Sequence, residues 1–445
     1  MGNSSSQTVS TRLQRIEELA RRSPKMVLTT LAQHIDVEWL REAHRRTRKD
    51  GAPGVDGRTA QEYAQDLETN LHSLLDRFKT GTYYAPPVRR SYVPKRDGSP
   101  RPLGLPTYED KVLQRAVTMV LQTIYEQDFL DCSYGYRPGR SAHQAVQAWN
   151  SWMTCRGSGW VIEIDIQGFF DHLVHRHLRG FLDQRVRDGV IRRTIHKWLK
   201  AGVLEGGQWT QRQEGTPQGG VISPLLANIY LHEVLDRWFQ EVVQPLLQAG
   251  SILVRYADDA ILGFESEHDA RRVFQTLPKR LSRYGLALHP EKTRLFHFQP
   301  PRSGDQETVN HEGRTFDFLG FTFTWRQTQS KRMWMVQPYT AQPRFRRALR
   351  DLGSWCRRHR HLPVSVQHRM LCQKLRGHYA YYGMSGNARR LTKFFRLAER
   401  CWLKWLRRRS QRSRLTWQRW SSFKKRYPLP EPVIRHRNFP IASNP

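Results

Sequence analysis

Acidic residues are scarce in this chain: 40 Asp and Glu stand against 73 Lys and Arg among 445 residues, a formal net charge of +33. A surface built only for solubility mixes the two signs more evenly. That explanation is excluded, and polyanions, nucleic acid first, become the expected partners. Cysteine is also rare. Cys132, Cys155, Cys356, Cys372 and Cys401 are scattered with no Cys-x-x-Cys pair, which excludes a zinc module or a disulfide framework and matches a reducing cytosol. No apolar run reaches the length of a membrane-spanning helix, and the N-terminus lacks the apolar core of a signal peptide, so a cytoplasmic protein with no membrane partner is expected. Met1-Gly2-Asn3-Ser4-Ser5-Ser6 fits the N-myristoylation pattern, but nothing else points to a membrane and it reads as a polar, disordered start.

What is present is unevenly placed. Residues 338–445 hold 27 Lys or Arg against three acids (Asp351, Glu399, Glu431), a surplus of 24. Most of the net charge therefore sits in the last quarter of a chain long enough for two or three domains.

Residues 252–264 read Ile-Leu-Val-Arg-Tyr-Ala-Asp-Asp-Ala-Ile-Leu-Gly-Phe. Two strand-like apolar runs around four residues predict a β-hairpin with Asp258 and Asp259 at its tip. Carboxylates on a buried hairpin need neutralising. A divalent cation such as Mg²⁺ would do so through hard oxygen contacts while leaving positions for phosphate; an Asp-Asp turn exposed to water is the alternative. In the run from Trp160 to Asp171, Val161, Ile162, Ile164 and Ile166 form a buried strand interrupted by Glu163 and Asp165. Asp165 gains a partner if that strand lies beside the Asp258 hairpin, 93 residues later.

Other stretches have a local reading. Helical patterns cover 11–49, about 60–79 and 110–127, the last amphipathic. Val88 to Pro106 predicts a hairpin turning at Asp97-Gly98, with Lys95 and Arg101 on opposing arms where they could clamp a triphosphate. Residues 132–146, Cys-Ser-Tyr-Gly-Tyr-Arg-Pro-Gly-Arg-Ser-Ala-His-Gln-Ala-Val, form a loop opening onto a helix, where Arg137 and Arg140 suit phosphate. In Gly215-Thr216-Pro217-Gln218-Gly219-Gly220-Val221-Ile222-Ser223-Pro224 the glycines admit close backbone approach, and Ser223-Pro224 starts a helix. Residues 285–293 predict a strand and turn, and Phe316 to Phe323 a hairpin strand. Gln342 to Arg409 predicts three helices, the last with an apolar face and basic faces bearing Arg390, Lys393, Arg400 and Lys404. Trp417 to Asn438 is basic and aromatic, suited to phosphate contact plus stacking.

Tyr256-Ala257-Asp258-Asp259 resembles the active-site box of reverse transcriptases. The 132–146 and 215–228 strings, Gly54-Val55-Asp56-Gly57, Phe318-Leu319-Gly320-Phe321 and His378-Tyr379-Ala380-Tyr381-Tyr382-Gly383 resemble the group II intron-encoded branch of that family, together covering about residues 40–420. The resemblance implies an α+β right-hand polymerase, fingers and palm, followed by an α-helical thumb or maturase X domain. The implied divisions are an N-terminal basic extension (1–60), fingers and palm (61–333), thumb (334–425) and a basic tail (426–445). It implies that Asp165, Asp258 and Asp259 are catalytic and, with Ile166, hold two Mg²⁺ ions, Mn²⁺ being able to substitute. It places Lys95, Arg101, Ile166, Phe170, Gln218, Gly219 and Lys292 at the nucleotide, Phe170 as the gate under the sugar and Lys292 as the donor to departing pyrophosphate. Arg137, Arg140, Pro217, Tyr256, Arg390, Lys393, Arg400 and Lys404 would touch nucleic acid. The implied function is RNA-directed DNA synthesis from dNTPs on an RNA template and DNA primer, with intron RNA and target DNA as further partners, in a bacterial cytoplasm near the nucleoid. Two departures stand out: the Cys- and His-bearing nuclease domain of many relatives is missing, and a separate DNA-binding domain is at most the basic tail, so second-strand cleavage by this chain is not expected. A splicing-only RNA chaperone, or a related enzyme used in repair or phage defence, are the alternatives.

Overall fold

Among the described residues, apolar strands and helices assemble into three sheets clad by helices. The computed structural model describes residues 8–94, 100–206, 208–210, 214–216, 219–301, 315–328, 333–409 and 416–436; Lys95, Pro217 and Gln218 lie outside them. The chain opens with α1 (Val9–Arg22) and α2 (Val37–Arg46), capped by the Thr8 and Asp36 side chains. After α3 (Ala60–Gln65) and α4 (Leu67–Thr80) come β1 (Val88–Pro94) and β2 (Pro100–Leu105), an antiparallel hairpin as the sequence predicts.

Next is α5 (Tyr108–Tyr125), which differs from its amphipathic expectation: both its apolar residues and Asp110, Gln114 and Thr118 are buried. The reason is packing on several sides, by α1, by α2 and by α9 (Ser223–Leu231). The Trp39 indole of α2 donates to the Ala116 carbonyl at 3.0 Å, so the N-terminal helices share one core with the strands that follow.

Between α5 and α9 lie α6 (Ala142–Arg156), β3 (Gly159–Ile164), α7 (His175–Asp183), α8 (Gly189–Lys200), β4 (Val203–Glu205) and β5 (Gln208–Thr210). One sheet has the order β2-β1-β4-β5, with β1 and β4 parallel. α9 runs on into widened π-helical turns at His232–Asp236 and Trp238–Val243. Then follow β6 (Ser251–Tyr256), β7 (Asp259–Phe264), α10 (Glu267–Ser282) and β8 (Arg294–Phe298), giving a second sheet, antiparallel throughout, of order β6-β7-β3-β8. The strand predicted within 285–293 is a loop with a single bridge, Ile166 to Leu288, and pairing starts at Arg294. The single strand expected at 316–323 is a hairpin, β9 (Thr315–Phe318) and β10 (Phe321–Gln327), completed by β11 (Trp334–Thr340).

The C-terminal region is helical: α11 (Gln342–Arg358), α12 (Val364–Tyr382), α13 (Ala388–Arg407) and α14 (Trp417–Arg426). Its core gathers Phe345, Trp355, Leu371, Leu375, Phe394 and Trp402. The tail corrects an expectation. Trp420 is buried, and Phe423 and Tyr427 pack on the same core, so these aromatics are occupied with folding rather than offered for base stacking. Beyond them the chain returns to the end of α12, where Arg435 N donates to the Gly383 carbonyl at 2.8 Å and Ser385 N to the His436 carbonyl at 3.0 Å.

Candidate active site

Strand order decides the site. β6 pairs with β7 up to Tyr256 opposite Asp259, so the turn consists of Ala257 and Asp258 alone. The sequence reading places both carboxylates at the tip, whereas Asp259 already opens β7. Ala257 has φ of 59°, the left-handed value that a two-residue turn demands and glycine usually supplies. β7 pairs with β3 up to Ile164 opposite Ala260. Asp165 follows one residue on, next to Asp259, and the sheet thereby unites carboxylates far apart in sequence. The backbone of Asp165 is pinned: His289 N donates to its carbonyl at 2.8 Å and the Thr293 hydroxyl at 3.3 Å. The same loop carries Lys292, whose Nζ is 3.3 Å from Asp165 Oδ2.

Burial pushes the Asp258 carboxyl above the ordinary carboxylate range; the Arg101 guanidinium opposes that rise and the charge of Asp165 adds to it. Arg101 lies at the exposed start of β2. A cleft of about 1280 Å³ opens in front, with Asp165, Tyr256, Asp259 and Lys292 on one side and Arg344, Arg346, Arg347 and Arg350 of α11 on the other. A basic wall opposite a carboxylate floor can hold a polyanion above a cation site. The three carboxylates present only hard oxygens, and Asp258 is costly as a bare anion, so the set fits a divalent cation. Among the described residues no group of three His, Cys, Asp or Glu stands close enough to cage an ion unaided; Mg²⁺ sites commonly complete their shell with water and phosphate oxygens.

Behind the turn lies a group that sequence reasoning missed. Arg255 is fully buried and donates to both oxygens of Asp236 (2.7 and 2.5 Å), to Asn228 Oδ1 (3.0 Å), to the Ser133 hydroxyl (2.7 Å) and to the Ala257 carbonyl (3.0 Å). Asp236, equally buried, belongs to the first widened turn after α9. A charge inside the apolar run of β6 was the available signal, since a buried guanidinium must find an acid. Asn228 also donates to the Gly135 carbonyl at 2.6 Å. A Cβ on Gly135 would stand 2.3 Å from Ala257 N, so only glycine lets the 132–137 loop back the turn this closely.

The 215–223 loop joins the two halves of the site. Thr216 N donates to the Phe170 carbonyl at 2.8 Å, and a Cβ on Gly219 (φ +123°) would meet the Gly104 carbonyl of β2 at 2.7 Å. Phe170 is half-buried, its ring edge-on to Phe169 at 5.3 Å. Under this loop Gln114 accepts from Val221 N at 2.8 Å, and Asp110 accepts from the Tyr83 hydroxyl. Burial pushes the Asp110 carboxyl up to about 8. Its folded pKa lies above its unfolded one, so the folded state holds an extra proton and stability falls as pH rises from about 4 toward 8. The unfolding free energy should therefore decline more steeply from pH 5 to 8 for the wild type than for Asp110→Asn, by about 1.4 kcal/mol per pH unit from this group, as pH-dependent melts would measure. Parallel slopes would show that Asp110 is already ionised.

The remaining predicted residues separate. Arg137 is a correction: it is buried, with Nε 3.0 Å from Glu126 and Nη1 donating to the Leu130 and Ser133 carbonyls at 2.7 and 2.9 Å. It shapes the loop instead of meeting phosphate. Arg140 is paired with Asp131 and lies over the Tyr134 ring. Arg390 donates to Gln342 Oε1 at 2.7 Å and covers the Tyr339 and Phe345 rings, joining α13 to the start of α11. Lys393 and Arg400, with Arg389 and Arg396, line an exposed groove along α13, and Lys404 is exposed beside Trp405.

Residues 93–323 match the reverse transcriptase (RNA-dependent DNA polymerase) family model. The chain is 45% identical to the group II intron-encoded protein LtrA of Lactococcus lactis subsp. cremoris over 172 residues, 38% of this chain and 28% of the relative. It is 41% identical to protein YkfC of Escherichia coli (strain K12) over 210 residues, 46% of this chain and 55% of the relative. Nuclear intron maturase 4, mitochondrial, of Arabidopsis thaliana is 30% identical over 139 residues, 31% of this chain and 17% of the relative. The chain thus spans about a quarter to about half the length of the first two.

Proposed function

Because the chain belongs to the reverse transcriptase (RNA-dependent DNA polymerase) family, we propose that it copies RNA into DNA in the manner of the group II intron type and binds intron RNA to assist splicing and mobility. The observation that carries this reading is the pairing of β7 with β3, which brings Asp165 next to Asp259, both lining a cleft that also holds Arg344, Arg346, Arg347 and Arg350, with Asp258 in the adjoining turn. In this reading Asp165, Asp258 and Asp259, with Ile166, would hold two Mg²⁺ ions, for which Mn²⁺ could substitute. Bound there, the ions would supply positive charge against the phosphates and the attacking primer end.

The protein's own groups do the placing. Arg101 and Lys95 grip the triphosphate of a dNTP, and Phe170 lies under its sugar. Gln218 and Gly219 bring backbone and amide to the nucleotide, with Pro217 toward the template. Lys292 releases Asp165 and supplies a proton to the departing pyrophosphate. Tyr256, Arg140 and the Lys393, Arg400 and Lys404 side of α13 meet the template–primer or intron RNA. The corresponding division is fingers and palm over 61–333 and thumb over 334–425, flanked by the extension and tail, at work in a bacterial cytoplasm beside nucleoid DNA.

The test is primer extension on an RNA template with dNTPs and Mg²⁺. DNA product supports the reading; no product from folded, RNA-binding protein would replace it with a splicing-only maturase. Affinity for RNA is expected to fall about 10³-fold or more between 50 and 200 mM salt if about six or more phosphates are contacted. A filter-binding series measures this, and a nearly flat response would mean that the C-terminal cations face only solvent.

A further inference from the structure

Among the described residues three that are not glycine have positive φ: Tyr136 (57°), Ala257 (59°) and Leu319 (50°). Ala257 and Leu319 sit in tight turns that join paired strands. Tyr136 joins no strands; it stands in the loop between α5 and α6. A left-handed tyrosine is costly and persists only where its surroundings over-determine it. They do so here. On one side Gly135 is bonded to Asn228 and pressed against Ala257. On the other, Arg137 is anchored to Glu126 and to the Leu130 and Ser133 carbonyls. The chain is fixed on both flanks and the tyrosine between them is turned outward, 56% exposed.

An aromatic ring held out into water at a conformational cost contributes nothing to the core. Its position suggests another use. The ring centre lies 6.4 Å from that of Tyr256, tilted by 39°, and Tyr256 is the strand residue that leads directly into the Ala257-Asp258 turn. Tyr256 lines the cleft, and Tyr136 lies beside it at the carboxylate turn. Aromatic faces accept bases and sugars without regard to sequence, which suits a site that must take every base pair in succession.

We propose, on the reading that this site polymerises nucleotides, that Tyr136 is a substrate-contacting residue. Its ring and that of Tyr256 form the floor against which the sugar and base edge of the pair at the primer's growing end rest. The loop's strain holds that floor at the height of the carboxylates.

The test combines binding and catalysis. A primer ending in 5-iodo-deoxyuridine, annealed to an RNA template and irradiated without dNTPs, should crosslink to Tyr136 or Tyr256 in the wild type, with the Tyr136 adduct found by peptide mapping. Tyr136→Ala and Tyr136→Gly should lower kcat/KM for extension about 10- to 100-fold, while Tyr136→Phe stays within about twofold. The glycine variant, freed of left-handed strain, should keep or raise its thermal midpoint. The proposal is overturned if the adducts map away from the 135–137 loop and Tyr136→Gly extends primers like the wild type, or if the glycine midpoint drops by several degrees, which would make the ring a fold element. If the wild type extends nothing, the polymerase reading fails while the crosslink still decides the contact.

Discussion

Replacing Asp258 with alanine or asparagine is expected to eliminate DNA synthesis while leaving a protein that folds at least as well as the wild type. The loss follows from the chemistry. A carboxylate that holds a divalent cation at the reacting phosphate supplies several kcal/mol of charge stabilisation in the transition state, and at 1.36 kcal/mol per tenfold that is about 10³-fold or more in rate. The gain in stability follows from the surroundings. Asp258 is pushed up chiefly by burial, with the charge of Asp165 adding to it. A carboxyl whose folded pKa exceeds its unfolded one costs stability once the pH passes the unfolded value. Asp258→Asn should therefore raise the thermal midpoint at neutral pH in the absence of divalent cations, and lose that advantage as the pH falls below the ordinary carboxylate range. RNA affinity should persist, because Arg344, Arg346, Arg347 and Arg350 on the opposite wall are untouched. Primer extension, binding and a pH series of melts on one variant test all three. Retained synthesis by Asp258→Ala would sink the assignment of this carboxylate.

Much of this centre was legible in the sequence because its parts break a local pattern. Asp165 breaks one apolar run and Asp258 stands between two others, and a carboxylate in such company needs a counter-charge. The two apolar runs around Tyr256-Ala257-Asp258-Asp259 also set the hairpin within one residue, although the tight turn takes only Ala257 and Asp258. Periodicity was less informative wherever burial comes from several directions. Asp110, Gln114 and Thr118 give α5 an amphipathic look, but each is buried, and helices packed around α5 hide the polar stripe. Arg137 shows the same limit: a guanidinium in a Gly-Pro loop reads as an anion site, while carbonyls gathered by the fold take up its donors. The tail aromatics Trp420 and Phe423 looked available for stacking because their partner, Trp402 on α13, can be assigned only in three dimensions.

Arg255 marks the furthest reach of that limit, and its removal should have the second largest effect. Its charge within β6 is visible, but Asp236 lies 19 residues earlier and is turned inward by a widened helical turn that no propensity announces. Both side chains are fully buried, so deleting either leaves the other charged in the core, which costs about 3–5 kcal/mol. Arg255→Met and Asp236→Leu are each expected to lower the unfolding free energy from urea melts by that order. The double variant should recover much of the loss, because an apolar pair of similar volume often replaces a buried ion pair without penalty. Activity should not recover with it. Arg255 also donates to the Ala257 carbonyl and to Asn228, the two contacts that fasten the left-handed turn bearing Asp258 and the Gly135 loop behind it. Without them the turn can relax toward ordinary φ, and a carboxylate displaced by about 1 Å can lose on the order of 10²-fold in rate. A double variant that is stable but extends primers about 10²-fold more slowly makes Arg255 a positioning residue for the site; one that is stable and fully active reduces the pair to a fold element.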